Sequence, residues 1–160
     1  MFLVKIRETD YHHGAFVATL VNRGYQIRAF ESFETRRSYK ISKGEEEYLV
    51  YSKFSSTPSS KTKTTCTWSF TFSTEEISKI KLYSSTNDHC LIVLTAHYGG
   101  NDGGELIILT YEEFLKCIGY PWNTKNARIS IHKAHYKSIK VYGTGLDKRN
   151  SFAPHVASLN

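Results

Sequence analysis

Within residues 66–119 two strand-and-helix units follow one another, and no other part of the chain so restricts what it can fold into. The first reads CTWSFTFSTEEISKI and the second HCLIVLTAHYGGNDGGELIILTYEEFLKCIG. Trp68, Phe70 and Phe72 alternate with Thr67, Ser69 and Thr71, the period of two that puts aromatic rings on one face of a half-buried strand. Ser73 and Glu76 have the spacing of a capping box, in which hydroxyl and carboxylate each accept a backbone N–H of the other residue. Ile77 and Ile80 follow at helical spacing. Residues 90–94 are an unbroken apolar run, as a strand covered on both faces requires, and residues 106–109 are another. Thr110 and Glu113 repeat the capping box, with Tyr111, Phe114, Leu115 and Ile118 as one helical stripe. Gly119 suits a left-handed helix stop, and Pro121 blocks continuation.

The expected fold class is therefore α/β in the broad sense (α+β): a single domain over residues 1–160, with a mixed β-sheet, two or three flanking helices and a C-terminal β-hairpin. Glu75, Glu76, Glu112 and Glu113 open the two helices, where negative charge complements the helix dipole. That role is expected of them rather than paired acid–base catalysis.

A chain of 160 residues with 40% hydrophobic and 22% charged content can bury a core without disulfide or metal staples. Cys66, Cys90 and Cys117 are odd in number, lie in apolar settings and have no CxxC spacing, which reads as reduced thiols in a cytoplasmic protein. Lys5 interrupts the N-terminal apolar residues before a signal-peptide core can form, and no stretch reaches the length of a membrane span.

Charge is unevenly placed. Lys125, Arg128, Lys133, Lys137, Lys140, Lys148 and Arg149 face a single acid, Asp147, within residues 123–150, so this segment carries the whole formal excess of +6. A concentrated basic surface points to a polyanionic partner, with nucleic acid foremost. Residues 55–65, SSTPSSKTKTT, have no apolar anchor and read as a mobile loop, from which Lys61 and Lys63 can reach phosphate.

Elsewhere, residues 2–7 are expected as a short edge strand. Asp10 is expected to cap a helix running through Ala15, Phe16, Val17, Leu20 and Val21 and ending at Gly24, with a strand over residues 15–21 as the competing reading. Residues 25–30 alternate as a strand, and residues 37–41 and 47–54 form a hairpin about Lys43-Gly44. Residues 128–133 and 137–142 form a second hairpin about residues 134–136. Ile129, Ile131, Ile139 and Val141 face inward there, and Arg128, His132, Lys140 and Tyr142 face outward. The tail from residue 143 is expected to be irregular.

The order helix, RGY, strand, strand, then a strand ending in lysine resembles the PD-(D/E)XK nuclease superfamily. The helix would span about residues 10–23 and the strands residues 25–31, 37–41 and 47–54. The resemblance implies a helix packed beside a three-stranded sheet. An aspartate on the second strand and an acid-x-lysine on the third would bind a divalent metal, Mg or Mn. In YLVYSKFS the acid-x-lysine falls on Tyr51-Ser52-Lys53, leaving Lys53 as the one catalytic residue carried over. The aspartate position falls near Ser38 or Lys40. Neither these residues nor Tyr51 offers the carboxylate that a hard cation needs, so a degenerate active site is implied.

Other constellations are weaker. His132 and His135 straddle a turn without a third ligand, and zinc sites use three or four. His12 and His13 diverge on a helix, and His89 and His97 lie at opposite ends of a strand. The GGNDGG run joins two strands, with no lysine or helix start to make a phosphate loop. Ser130 and Ser138 lack a nucleophile-elbow sequence. No metal ligands and no resident cofactor are expected. The leading expectation is a small nucleic-acid-binding protein on a nuclease-like scaffold, with phosphate contacts from Lys61, Lys63, Lys125, Arg128, Lys133, Lys137, Lys140, Lys148 and Arg149. The alternatives are a metal-dependent nuclease with unusual ligands and a protein-interaction module, an inhibitor or accessory subunit.

Overall fold

The computed structural model describes residues 5–32, 36–86, 89–119 and 126–158. Helix α1 (Glu8–Asn22) is followed by β1 (Gln26–Ser32), β2 (Arg36–Lys43), β3 (Glu46–Ser55), β4 (Ser60–Lys61), β5 (Thr65–Phe72) and α2 (Thr74–Thr86). Then come β6 (Cys90–His97), β7 (Gly104–Thr110), α3 (Tyr111–Ile118), β8 (Ala127–Ala134), β9 (Lys140–Gly143), a 3-10 turn (Lys148–Asn150) and β10 (His155–Ser158). The fold is mixed α and β, as the sequence predicts, but the strands divide between two sheets. One has six strands in the order β1-β2-β3-β6-β7-β10 and the other four in the order β4-β5-β8-β9.

In the larger sheet β3 and β6 run parallel, and every other neighbouring pair is antiparallel. Period two then sorts side chains between two cores. Val50, Val93 and Leu106 join Tyr39 and Ile41 beneath Phe16 and Leu20 of α1. Leu49, Tyr51, Ile92, Leu94, Ile107 and Leu109 face the other way, into a larger core closed by α2, α3 and the smaller sheet. Trp68, Phe70, Phe72, Ile129, Ile131, Ile139 and Val141 are all buried there, the inward set expected for the WSFTF strand and the C-terminal hairpin. That strand and that hairpin are partners of each other, since β5 pairs with β8 from Thr65↔Ala134 to Phe72↔Ala127.

Helix starts follow the predicted chemistry with one correction. The Ser73 N–H donates to the Glu76 carboxylate at 2.9 Å and the Glu76 N–H to Ser73 Oγ at 3.1 Å. Thr110 and Glu113 repeat the pair. Residues 15–21 are helical, not strand, but Asp10 is not the cap. Arg7 holds that place, and Asp10, in the third helical position, accepts the Arg7 N–H at 3.0 Å. A carboxylate at that position satisfies an orphan donor from inside the helix. The edge strand expected at residues 2–7 is absent from residues 5–7, which run unpaired into α1; residues 2–4 lie outside the described residues.

Two segments expected without regular structure hold short strands. Lys61 in β4 pairs with Cys66, and β10 pairs with β7 from His155↔Ile108 to Ser158↔Glu105. In both cases the segment pairs with an open sheet edge, which satisfies its backbone groups. Helix α3 ends as foreseen at Gly119, whose N–H reaches Leu115 O at 2.9 Å with φ of 81°. Gly145 lies directly against that stop, its N–H donating to Cys117 O at 2.9 Å.

A Cβ at Gly145 would overlap the backbone N and Cα of Gly119. Gly145→Ala should therefore cost about 1–3 kcal/mol, as overpacking does. Gly14 lies inside α1 with nothing within 4 Å of an added Cβ. Gly14→Ala should instead stabilise by about 0.5–1 kcal/mol through lost unfolded-state freedom. Urea denaturation of the two variants checks the opposite signs.

Candidate nucleic-acid interface

The cluster that the nuclease resemblance singles out lies on the α2 side of the six-stranded sheet. Ser38 pairs with Tyr51 in register, so both side chains share that face, and Lys53 follows two residues along. Ser38 Oγ is 3.1 Å from the Tyr83 hydroxyl of α2. The Tyr51 hydroxyl donates to Glu76 at 2.6 Å, and Lys53 Nζ lies 3.0 and 3.3 Å from the two Glu76 oxygens. Lys53 Nζ also donates to the Thr71 carbonyl and sits 4.8 Å from the Phe72 ring centre. The side chains of Lys53 and Glu76 are 13% and 5% exposed.

Glu76 is thus a capping-box acid with a second task that its local sequence does not reveal. Burial pushes its carboxyl up, but the Tyr51 hydroxyl, the Ser73 N–H and the Lys53 ammonium together outweigh burial and hold it below 4.5. Both carboxylate oxygens already accept hydrogen bonds. The arrangement is a closed ion pair to which the Tyr51 hydroxyl also donates. Among the described residues no group of three or more His, Cys, Asp or Glu side chains is disposed to hold a metal ion.

The predicted cations gather at a different place. Pairing of β5 with β8 brings the 62–65 turn against the 134–137 turn. The His135 N–H donates to Thr64 O at 2.7 Å, the Thr62 N–H to Thr65 O at 2.9 Å, and the Lys137 N–H to Ala134 O at 3.0 Å. Between these turns opens a groove of about 510 Å³, lined by Lys61, Lys63, Lys133 and Lys137, by Tyr98, His135 and Tyr136, and by Thr62, Thr64, Thr65, Cys66 and Ala134. No acid is among its described lining residues. The arm expected from residues 55–65 and the basic hairpin therefore form one surface.

The remaining cations divide. Lys140 pairs with His132, whose side chain takes the opposite face of the sheet from Lys133, and the charge of Lys148 reaches the same imidazole. Burial first, and Lys148 second, hold His132 below its ordinary value. Arg149 follows Lys148 in the 3-10 turn and is exposed. Arg128 pairs with Thr71 at the far end of the sheet, about 20 Å from Ala134 at strand rise. Lys125 lies outside the described residues. Lys133 is committed inward. Its ammonium meets Glu105 and the Tyr98 hydroxyl, the latter at 2.9 Å. Burial opposes its charge, but these two partners raise it above 10.5. Three lysines, Lys61, Lys63 and Lys137, are exposed around the groove.

A histidine group that sequence reasoning missed lies where α1 crosses β3 and β6. His12 stacks on Phe54 at 4.4 Å between ring centres and meets His97 at 4.1 Å, while His13 meets Phe54 at 5.3 Å. Nδ1 of His12 and Nε2 of His97 are buried without a hydrogen-bond partner. Burial, helped by the like charge of His12, pushes His97 down to about 4. No spacing could have signalled this, because the rings meet only once the sheet has formed.

Comparison with known proteins adds no assignment: no family model, no curated protein and no solved structure matches the chain. Among the described residues no helix is long and apolar enough to cross a membrane.

Removing one partner of a buried ion pair strands the other, at about 3–5 kcal/mol. Glu76→Leu and Lys53→Met should each cost that much, and the double variant clearly less than their sum, in urea melts at pH 7. Because the folded carboxyl lies below 4.5, its contribution is present above pH 4.5 and fades as pH falls through the depressed value. The deficit of Glu76→Gln against the native chain should shrink over that window. In an NMR titration the His97 ring should titrate near 4, and His12→Ala should raise that value.

Proposed function

We propose that the protein binds nucleic acid through the groove between the 62–65 and 134–137 turns, on a nuclease-like scaffold whose catalytic site is not intact. The observation that carries this reading is the convergence of Lys61, Lys63 and Lys137, from two separate parts of the chain, around one groove with no acid among its described lining residues. The His135 N–H bond to Thr64 O joins the two turns and fixes the backbone that carries the cations, so little backbone ordering falls on binding. Lys140 and Lys148, beside His132, add positive charge on the opposite face of the same sheet. The segment's excess charge would steer a polyanion toward it. Three free thiols support a cytoplasmic setting, where cysteines stay reduced.

The nuclease-like scaffold is supported by helix α1, then three antiparallel strands, with Lys53 on the third and Ser38 opposite Tyr51. A working Mg or Mn nuclease needs carboxylate oxygens open to the cation. The Glu76 carboxylate beside Lys53 is instead occupied by Tyr51, Ser73 and Lys53.

Fluorescence anisotropy with labelled oligonucleotides between 50 and 200 mM KCl tests the binding. With about three phosphates engaged, log K should fall against log salt with a slope of about −2 to −3. The double substitution Lys63→Glu/Lys137→Glu should flatten that slope and abolish most of the affinity, while Arg128→Glu, at the far end of the sheet, should change it little. Affinity that does not respond to salt would overturn the reading. Added Mn should leave the oligonucleotide uncut; cleavage that Lys53→Met removes would restore the nuclease alternative.

A further inference from the structure

Resting on the proposed nucleic-acid groove, we infer that its ligand is single-stranded and that Tyr136 is the platform on which an unpaired base stacks. Tyr136 is 96% exposed, the most solvent-facing of the large apolar side chains described. It is also the one described residue other than glycine with a left-handed backbone, at φ of 57°. A side chain with a Cβ costs about 1–2 kcal/mol in that conformation, and an exposed phenol ring gains no burial in return. Glycine would suit the turn better. A residue that strains the backbone while contributing nothing to the core is explained by what it presents outward.

What it presents is an aromatic face beside cations. The His135 ring meets it at 64°, 3.9 Å between centres, and the phenol stays almost wholly open to solvent. Lys137 adjoins it in sequence, and Lys61 and Lys63 line the same groove. The donation of the His135 N–H to Thr64 O at 2.7 Å fixes the turn that carries it. Lysines tracking a backbone next to an aromatic ring are the arrangement that binds single strands without reading sequence. In a duplex the bases are stacked on each other, so only phosphates would be engaged and the ring would add nothing.

The test compares a labelled 12-nucleotide oligothymidine with a labelled duplex of equal length, at low and moderate salt. The native chain should bind the single strand at least about tenfold more tightly. Tyr136→Gly should lower single-strand affinity roughly five- to 150-fold, the range for loss of one stacked base, leave duplex affinity unchanged, and not lower the melting temperature. Tyr136→Trp should keep the affinity, with its indole fluorescence quenched on binding.

If duplex and single strand bind alike and Tyr136→Gly changes neither, while Lys63→Glu/Lys137→Glu weakens both, the inference falls and the proposed function stands. If neither nucleic acid binds at low salt, both fall. A fall in single-strand affinity that Tyr136→Trp fails to restore would also overturn the stacking role.

Discussion

The parallel pairing of β3 with β6 is the constraint on which the rest of the molecule depends. It places Leu49, Val50 and Tyr51 beside Cys90, Leu91 and Ile92 at the centre of the larger sheet, with both faces covered. A parallel pair cannot be joined by a tight turn; the chain must leave the sheet and return to the starting end. Here that crossover holds β4, β5 and α2. It therefore supplies both the first strands of the second sheet and the helix that closes the larger core. The basic groove is built on that excursion, since its Lys61 and Lys63 lie between β3 and β6 in the chain.

The same crossover explains why a polar knot is tolerated in the interior. α2 must start where β5 ends, close to β3, and its first turn brings an acid with it. The Glu76 carboxylate then accepts from a backbone N–H, a phenol and an ammonium. A buried ion pair is by itself weak evidence of net stability. Here its hydrogen bonds tie α2 to Lys53 and Tyr51 of β3.

The local parts of this fold were legible from the chain alone. Both capping boxes, the alternation of Trp68, Phe70 and Phe72, and the inward set of the C-terminal hairpin follow from spacing within a few residues. Which strand lies beside which did not follow, because pairing of Thr65 with Ala134 depends on competition among all available edges. The division into two sheets was therefore invisible, and so was the meeting of the two lysine groups. For the same reason Lys133 read as a phosphate ligand although Glu105, 28 residues away, holds it. Asp10 was misplaced by one role in its motif, since a carboxylate just inside a helix and one just before it leave nearly the same trace. Tyr136 falls in the turn at residues 134–136, where the sequence shows neither its exposure nor its positive φ; both appear only in the fold.

The three thiols differ in a way that chemistry can use. Burial pushes Cys90 up to about 11, and burial with the nearby Glu113 charge pushes Cys117 up to about 12. At neutral pH neither carries the thiolate that alkylating reagents attack, and both lie inside the larger core. Cys66 is only half-buried and lines the groove wall. A maleimide dye added to the native chain will therefore attach there first, placing a reporter at the edge of the groove without any engineered residue.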